Sequence, residues 1–158
     1  MLDPEVHRTL AIEANNSASD LVRLPVGELD THAIEAMTRQ AYAAAHHWSI
    51  APGATIANEA RAEWLISRVW AVRGNGALSL HHARRCLDAC ERGGLEDFDL
   101  AYAHEALARA HACLGEVAEA RRHQETATRV PLADDEDESW FREDFSAEPW
   151  FGVNPERG

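Results

Sequence analysis

The chain is predicted to be all-α, built from stacked antiparallel helix hairpins with about six long helices and a short C-terminal one. Three observations predict this. Apolar residues recur at helical spacing along most of the chain, as in Ile34, Met37, Ala41 and Ala45. Short Gly- and Pro-containing turns separate these stretches. Runs rich in Val, Ile and Thr are few, so strands find little support, whereas alanine, the best helix former, is abundant.

Taken in order, Asp3-Pro4-Glu5 is a helix start, with an acid cap and Pro in the first turn. The first helix is predicted over 4–24, although Asn15, Asn16 and Ser17 in its middle compete with a helical backbone. Pro25-Val26-Gly27 stops it. Asp30 caps a second helix over 31–47, and a loop with Pro52-Gly53 follows. The third helix covers 56–73 and carries Trp64, Leu65, Ile66, Val69, Trp70 and Val72. After the turn Gly74-Asn75-Gly76, a fourth helix runs over 77–92 and ends at Gly93-Gly94. Asp97 is expected to cap a fifth helix over 98–114. Gly115 turns the chain into a sixth, 116–130, which Pro131 stops. A short helix is expected over 136–145. Such short turns make neighbouring helices antiparallel, so the hairpins fall at about 4–47, 56–92 and 98–130. The expected organisation is a hairpin array over 1–133 and an acidic, aromatic segment over 134–158.

An internal repeat sharpens this reading. A shift of 41 residues places Ile66 on Leu107, Ser67 on Ala108, Trp70 on His111, Gly74 on Gly115, Ser79 on Ala120 and Cys86 on Ala127. Small residues let the two helices of a hairpin cross closely. Large ones fill the gap to the next hairpin, and glycine accepts the positive φ at the helix end. The pattern resembles the tetratricopeptide repeat. Leu107-Ala108, His111, Gly115, Ala120 and Ala127 fall on the family's Leu-Gly, Tyr, Gly and two alanine positions, and Pro131 lies one residue short of its closing proline. Ile66-Ser67, Trp70, Gly74, Ser79 and Cys86 form a looser copy. The spacing exceeds the family's, which is about 34 residues, and the excess lies in 91–97. Residues 58–131 carry the resemblance; the first two helices match only in shape.

The resemblance implies that the first helix of each hairpin lines a groove that binds peptides or proteins. Its groove positions fall on Arg61, Trp64 and Arg68 in the third helix and on Tyr102, Glu105 and Arg109 in the fifth. Each set steps by three or four residues and shares a face. Two readings are open. An exposed Trp flanked by Arg and Tyr has a hot-spot composition suited to an acidic or carboxylate ligand. Alternatively Trp64 is core, and the arginines pair with local acids such as Glu63 and Glu105. The C-terminal segment is equally ambiguous. It holds Trp140, Phe141, Phe145, Trp150 and Phe151, five of the eleven aromatic residues. They are expected either to cap the open end of the last hairpin or to dock into a groove of this chain or of a second copy in a homo-oligomer.

The formal net charge is −12, and residues 134–148 hold eight acids against Arg142 alone. With no basic stripe, a nucleic-acid partner is not expected. No apolar run approaches a membrane span, and the N-terminus lacks the marks of a signal peptide, so no membrane association and a cytoplasmic location are expected. Cys86, Cys90 and Cys113 make no disulfide framework. There is no phosphate-cradling glycine motif, no nucleophile elbow and no HExxH or ExxH pair, so neither catalysis nor a cofactor is expected. His111 and Cys86 fall on packing positions of the repeat. The function expected is a non-enzymatic scaffold that binds a protein or peptide, with acidic ones among the candidates. The alternative is a helical protein that binds a small ligand or a metal through clustered histidines, with His46, His47 and His104 as candidates.

Overall fold

A computed structural model describes residues 2–156; Met1, Arg157 and Gly158, at the ends of the two expected segments, lie outside the described residues. Seven α-helices and no strand occur among the described residues: α1 (Pro4–Val22), α2 (Thr31–Ile50), α3 (Ile56–Val72), α4 (Gly76–Gly93), α5 (Phe98–Cys113), α6 (Val117–Arg129) and α7 (Asp135–Ser146). Local chemistry explains most ends. The Asp3 and Asp30 carboxylates accept from the Glu5 and Ala33 amides at 3.0 and 2.8 Å, and Asn75 accepts from Leu78 at 3.0 Å. Thr55 and Asn58 form a capping box at the start of α3. Asp97 departs from expectation. It adopts a positive φ of 65°, and its side chain caps nothing.

The helices pack as α1–α2, α3–α4 and α5–α6, with α1, α3, α5 and α7 in sequential contact as one row. Two hairpins turn identically. Gly74 and Gly115 have φ of 74° and 75°, which lets the Asn75 and Glu116 amides reach back to the Trp70 and His111 carbonyls, both at 2.9 Å. Gly76 is needed for another reason: a Cβ there would lie 2.7 Å from Leu114 Cγ, so only glycine lets the start of α4 meet the end of α5.

The central helices α3 and α5 are buried nearly all round, at Ala62–Val69 and Glu105–Ala112 respectively. The outer helices α4 and α6 bury one stripe, including Ser79, Ala83, Cys86 and Cys90 on the first and Ala120, His123, Gln124 and Ala127 on the second. Alanine makes this possible in α5, where Ala103, Ala106, Ala108, Ala110 and Ala112 are all buried and their small side chains let neighbours approach from every side. Phe141, Phe145, Trp150 and Val153 belong to the same core, so the C-terminal segment is packed onto the array.

Candidate functional site

Five of the six groove positions converge on one buried polar centre. Glu105 is its hub. Its Oε1 accepts from Arg109 Nε at 2.6 Å and from Arg68 at 3.2 Å, while Oε2 accepts from the Trp64 indole at 2.7 Å. Glu105 and Arg109 are each 1% exposed, Arg68 3% and Trp64 8%. Trp64 is therefore core, with Arg68 and Arg109 paired to Glu105, whereas Glu63, the other acid expected to pair with these arginines, binds His82 and Arg85 of α4.

Two guanidiniums share one carboxylate here, and the C-terminal segment supplies what is missing. Arg109 donates to the Ala147, Pro149 and Asp144 carbonyls at 2.8, 2.7 and 3.0 Å, and its guanidinium lies 4.0 Å from the centre of the Trp150 ring. Arg68 donates to the Glu148 carbonyl at 3.3 Å. Trp150 is fully buried, and its indole donates to the Phe145 carbonyl at 2.9 Å. The Asp144 carboxylate accepts from Arg23 at 2.9 and 3.1 Å and from the Tyr102 hydroxyl at 2.6 Å, so the segment is tied to α1 as well as to α5. The two expectations for this segment merge: α7 extends the row of first helices beyond α5, and residues 144–150 run over the groove positions. Trp140 and Phe151 stay exposed.

The electrostatics follow. Burial and the neighbouring Arg109 push the Arg68 guanidinium down to about 9, and burial lowers Arg109 despite its Glu105 partner. Burial would raise Asp144, but hydrogen bonds from Arg23 and Tyr102 outweigh it and hold the carboxyl below its usual range. Burial and Asp144 together raise the Tyr102 hydroxyl. A hydrogen bond with Cys90, together with burial, raises the Cys86 thiol, and burial raises the Cys113 thiol, so neither is poised as a nucleophile.

Arg61 is the sixth position and stands at the rim, half exposed, with Asp99 at 2.9 and 3.2 Å. It borders a cavity of about 460 Å³ between α1, α3 and α5, next to the buried centre. Trp64, Leu65, Phe98 and Tyr102 form the apolar wall; Asn15, Asn16, Ser19 and Asp20 of α1, with Arg23 just past its end, form the polar wall. Sequence reasoning missed this α1 contribution. Its trace was the cluster of helix-unfavourable residues at Asn15, Asn16 and Ser17, which leaves α1 unbroken.

His46, His47 and His104 do not come together. His47 meets His7, with Nδ1 atoms 2.9 Å apart, and His46 stacks edge-on against His47. His104 faces His123 of α6, at 3.1 Å. Burial, His7 and His46 lower the His47 pKa, and burial with Arg122 lowers that of His104.

Comparison with known proteins yields nothing: no family model, curated protein or solved structure matches the chain.

Proposed function

We propose that the protein is a tetratricopeptide-repeat-like scaffold, without chemistry of its own, that binds a peptide or an extended protein segment between α1, α3 and α5. The observation that carries this reading is the cavity of about 460 Å³, in which an aromatic wall faces a row of amides and charges. An apolar side chain would rest on Trp64 and Phe98. Asn15 and Asn16 each offer a donor and an acceptor, the combination a peptide backbone requires. The cations here are already matched, Arg61 by Asp99 and Arg23 by Asp144. The rim therefore favours a partner of mixed polarity over a strongly acidic one. The volume also lies in the range of small-molecule sites, roughly 300–1,000 Å³, so a small ligand in the same cavity is the second reading.

Selection from a random displayed-peptide library against the purified protein tests the proposal. Enriched peptides should bind with micromolar affinity and weaken at least fivefold in Asn16→Ala and Arg61→Glu, both at exposed positions that leave the fold intact. Absence of enrichment, or binders indifferent to both substitutions, overturns it. Binding of small molecules alone, sensitive to the same substitutions, selects the second reading.

A further inference from the structure

The hairpin α5–α6 carries a second cluster, away from the cavity, that the scaffold reading does not use. Glu119 and His123 are four residues apart and share a face of α6, turned toward His104 and His111 on α5. One donor atom from each of His111, Glu119 and His123 lies within 4.8 Å of the others. His111 and His123 are buried, and their rings stack at 5.5 Å with an interplanar angle of 2°.

Each imidazole is oriented through its Nδ1. His111 Nδ1 lies 2.7 Å from a Glu116 carboxylate oxygen; a carboxylate can only accept, so Nδ1–H donates to it and Nε2 keeps a lone pair. His123 Nδ1 lies 3.1 Å from His104 Nδ1, and His123 Nε2 lies 3.1 Å from an Arg122 guanidinium nitrogen. A guanidinium can only donate, so that Nε2 also presents a lone pair. The same Arg122 nitrogen donates to Glu119 at 2.8 Å. A carboxylate and an imidazole lone pair are thus aimed at one cation, held by a side chain that is 59% exposed and free to swing away.

The geometry points to a binding site for a divalent transition-metal ion, of the zinc, cobalt or nickel class, formed by His111 Nε2, His123 Nε2 and the Glu119 carboxylate after Arg122 withdraws. Two imidazoles and one carboxylate suit these ions, whereas magnesium and calcium prefer all-oxygen sets. Water would complete the coordination. Glu116 and His104 play the part of outer partners that fix the ring orientations. The ion would clamp α5 to α6 beside the Gly115 turn.

Calorimetric titration of untagged, metal-stripped protein with Zn²⁺ and Co²⁺ is the test. One ion should bind per chain, with the visible Co²⁺ absorption of a four- or five-coordinate nitrogen–oxygen site. At a hundredfold excess over Kd the melting temperature should rise by about 5 °C or more. Glu119→Gln and His123→Gln should each weaken binding at least tenfold. Arg122→Ala should tighten it, roughly three- to tenfold, by removing the resident cation. His46→Gln with His47→Gln should change nothing. Lack of stoichiometric binding overturns the assignment. So does binding that survives Glu119→Gln, depends on His46 and His47, or weakens in Arg122→Ala. Glu119 is a half-exposed side chain whose substitution leaves the core intact, so failure of the His123 variant to fold does not shelter the proposal.

Discussion

The hairpins α3–α4 and α5–α6 share a 41-residue register and use it differently. Arg68 and Arg109 are equivalent positions, and both grip Glu105, whose own equivalent is Trp64. Glu63 and His82 in the first hairpin correspond to His104 and His123 in the second. In the first, a carboxylate bridges His82 and Arg85 at 2.6 and 2.9 Å. In the second, two imidazoles meet with no acid between them. Ser67 and Ser79 exchange hydroxyl-to-carbonyl bonds of 2.8 and 2.9 Å, where the equivalent Ala108 and Ala120 are fully buried and carry no hydroxyl. The repeat thus conveys shape. Polar chemistry is added on top of it, and the third hairpin has been given the tail anchor and the open histidine cluster.

The largest test of this asymmetry is the hub. Glu105→Ala leaves Arg68 and Arg109 buried without their shared counter-charge. It should cost about 3–5 kcal/mol in chemical denaturation, with the C-terminal segment becoming sensitive to proteolysis.

Next comes the equivalent pair of arginines. Arg109 has four hydrogen-bond acceptors and an indole face, whereas Arg68 has two acceptors, both at 3.2 Å or beyond, and a buried Nε with no partner. Arg109→Met should therefore destabilise by at least about 2 kcal/mol more than Arg68→Met. Equal losses would mean that the tail does not distinguish the two copies.

The histidine pair gives a pH signature. Burial, with the positive charges of Arg122 and the neighbouring histidines, lowers His123 to about 4. Between about 6.5, where the unfolded imidazole titrates, and about 4, the unfolded chain takes up a proton that the folded one refuses. Stability should accordingly fall as pH drops through that window, by about 1–2 kcal/mol for this half-screened site, and His123→Gln should flatten the slope. Loss of the low-pKa carboxylates Asp144 and Glu63 follows only at lower pH, as their partners release them. The smallest effect is at the helix crossing: Ser67→Ala should cost about 1 kcal/mol, since it strands one bond of a reciprocal pair.

The helices and their ends were legible because their causes are local. A cap, a proline or a glycine acts within a few residues, and the predicted 56–73 and observed Ile56–Val72 differ by one. Asp97 misled because an Asp before an apolar run signals a cap only if its backbone is extended, and here φ is positive. The groove positions were legible as a set, but not their state. Exposure depended on a segment 35 to 80 residues away in sequence. Asn15 and Asn16 read as helix defects, because nothing local says that they face a cavity. Glu119 and His123 are an ordinary i, i+4 pair until α5 brings His111 to them.

By itself, then, the sequence determined an all-helical array, its three hairpins, and the 41-residue register with its small and large packing positions. Periodicity and turn chemistry are short-range and survive without knowledge of neighbours. Only the tertiary structure decided that the C-terminal segment lies over Arg68 and Arg109. Two buried guanidiniums share one carboxylate, and the remaining donors had to find carbonyls. That requirement arises from burial, which no local pattern of residues records.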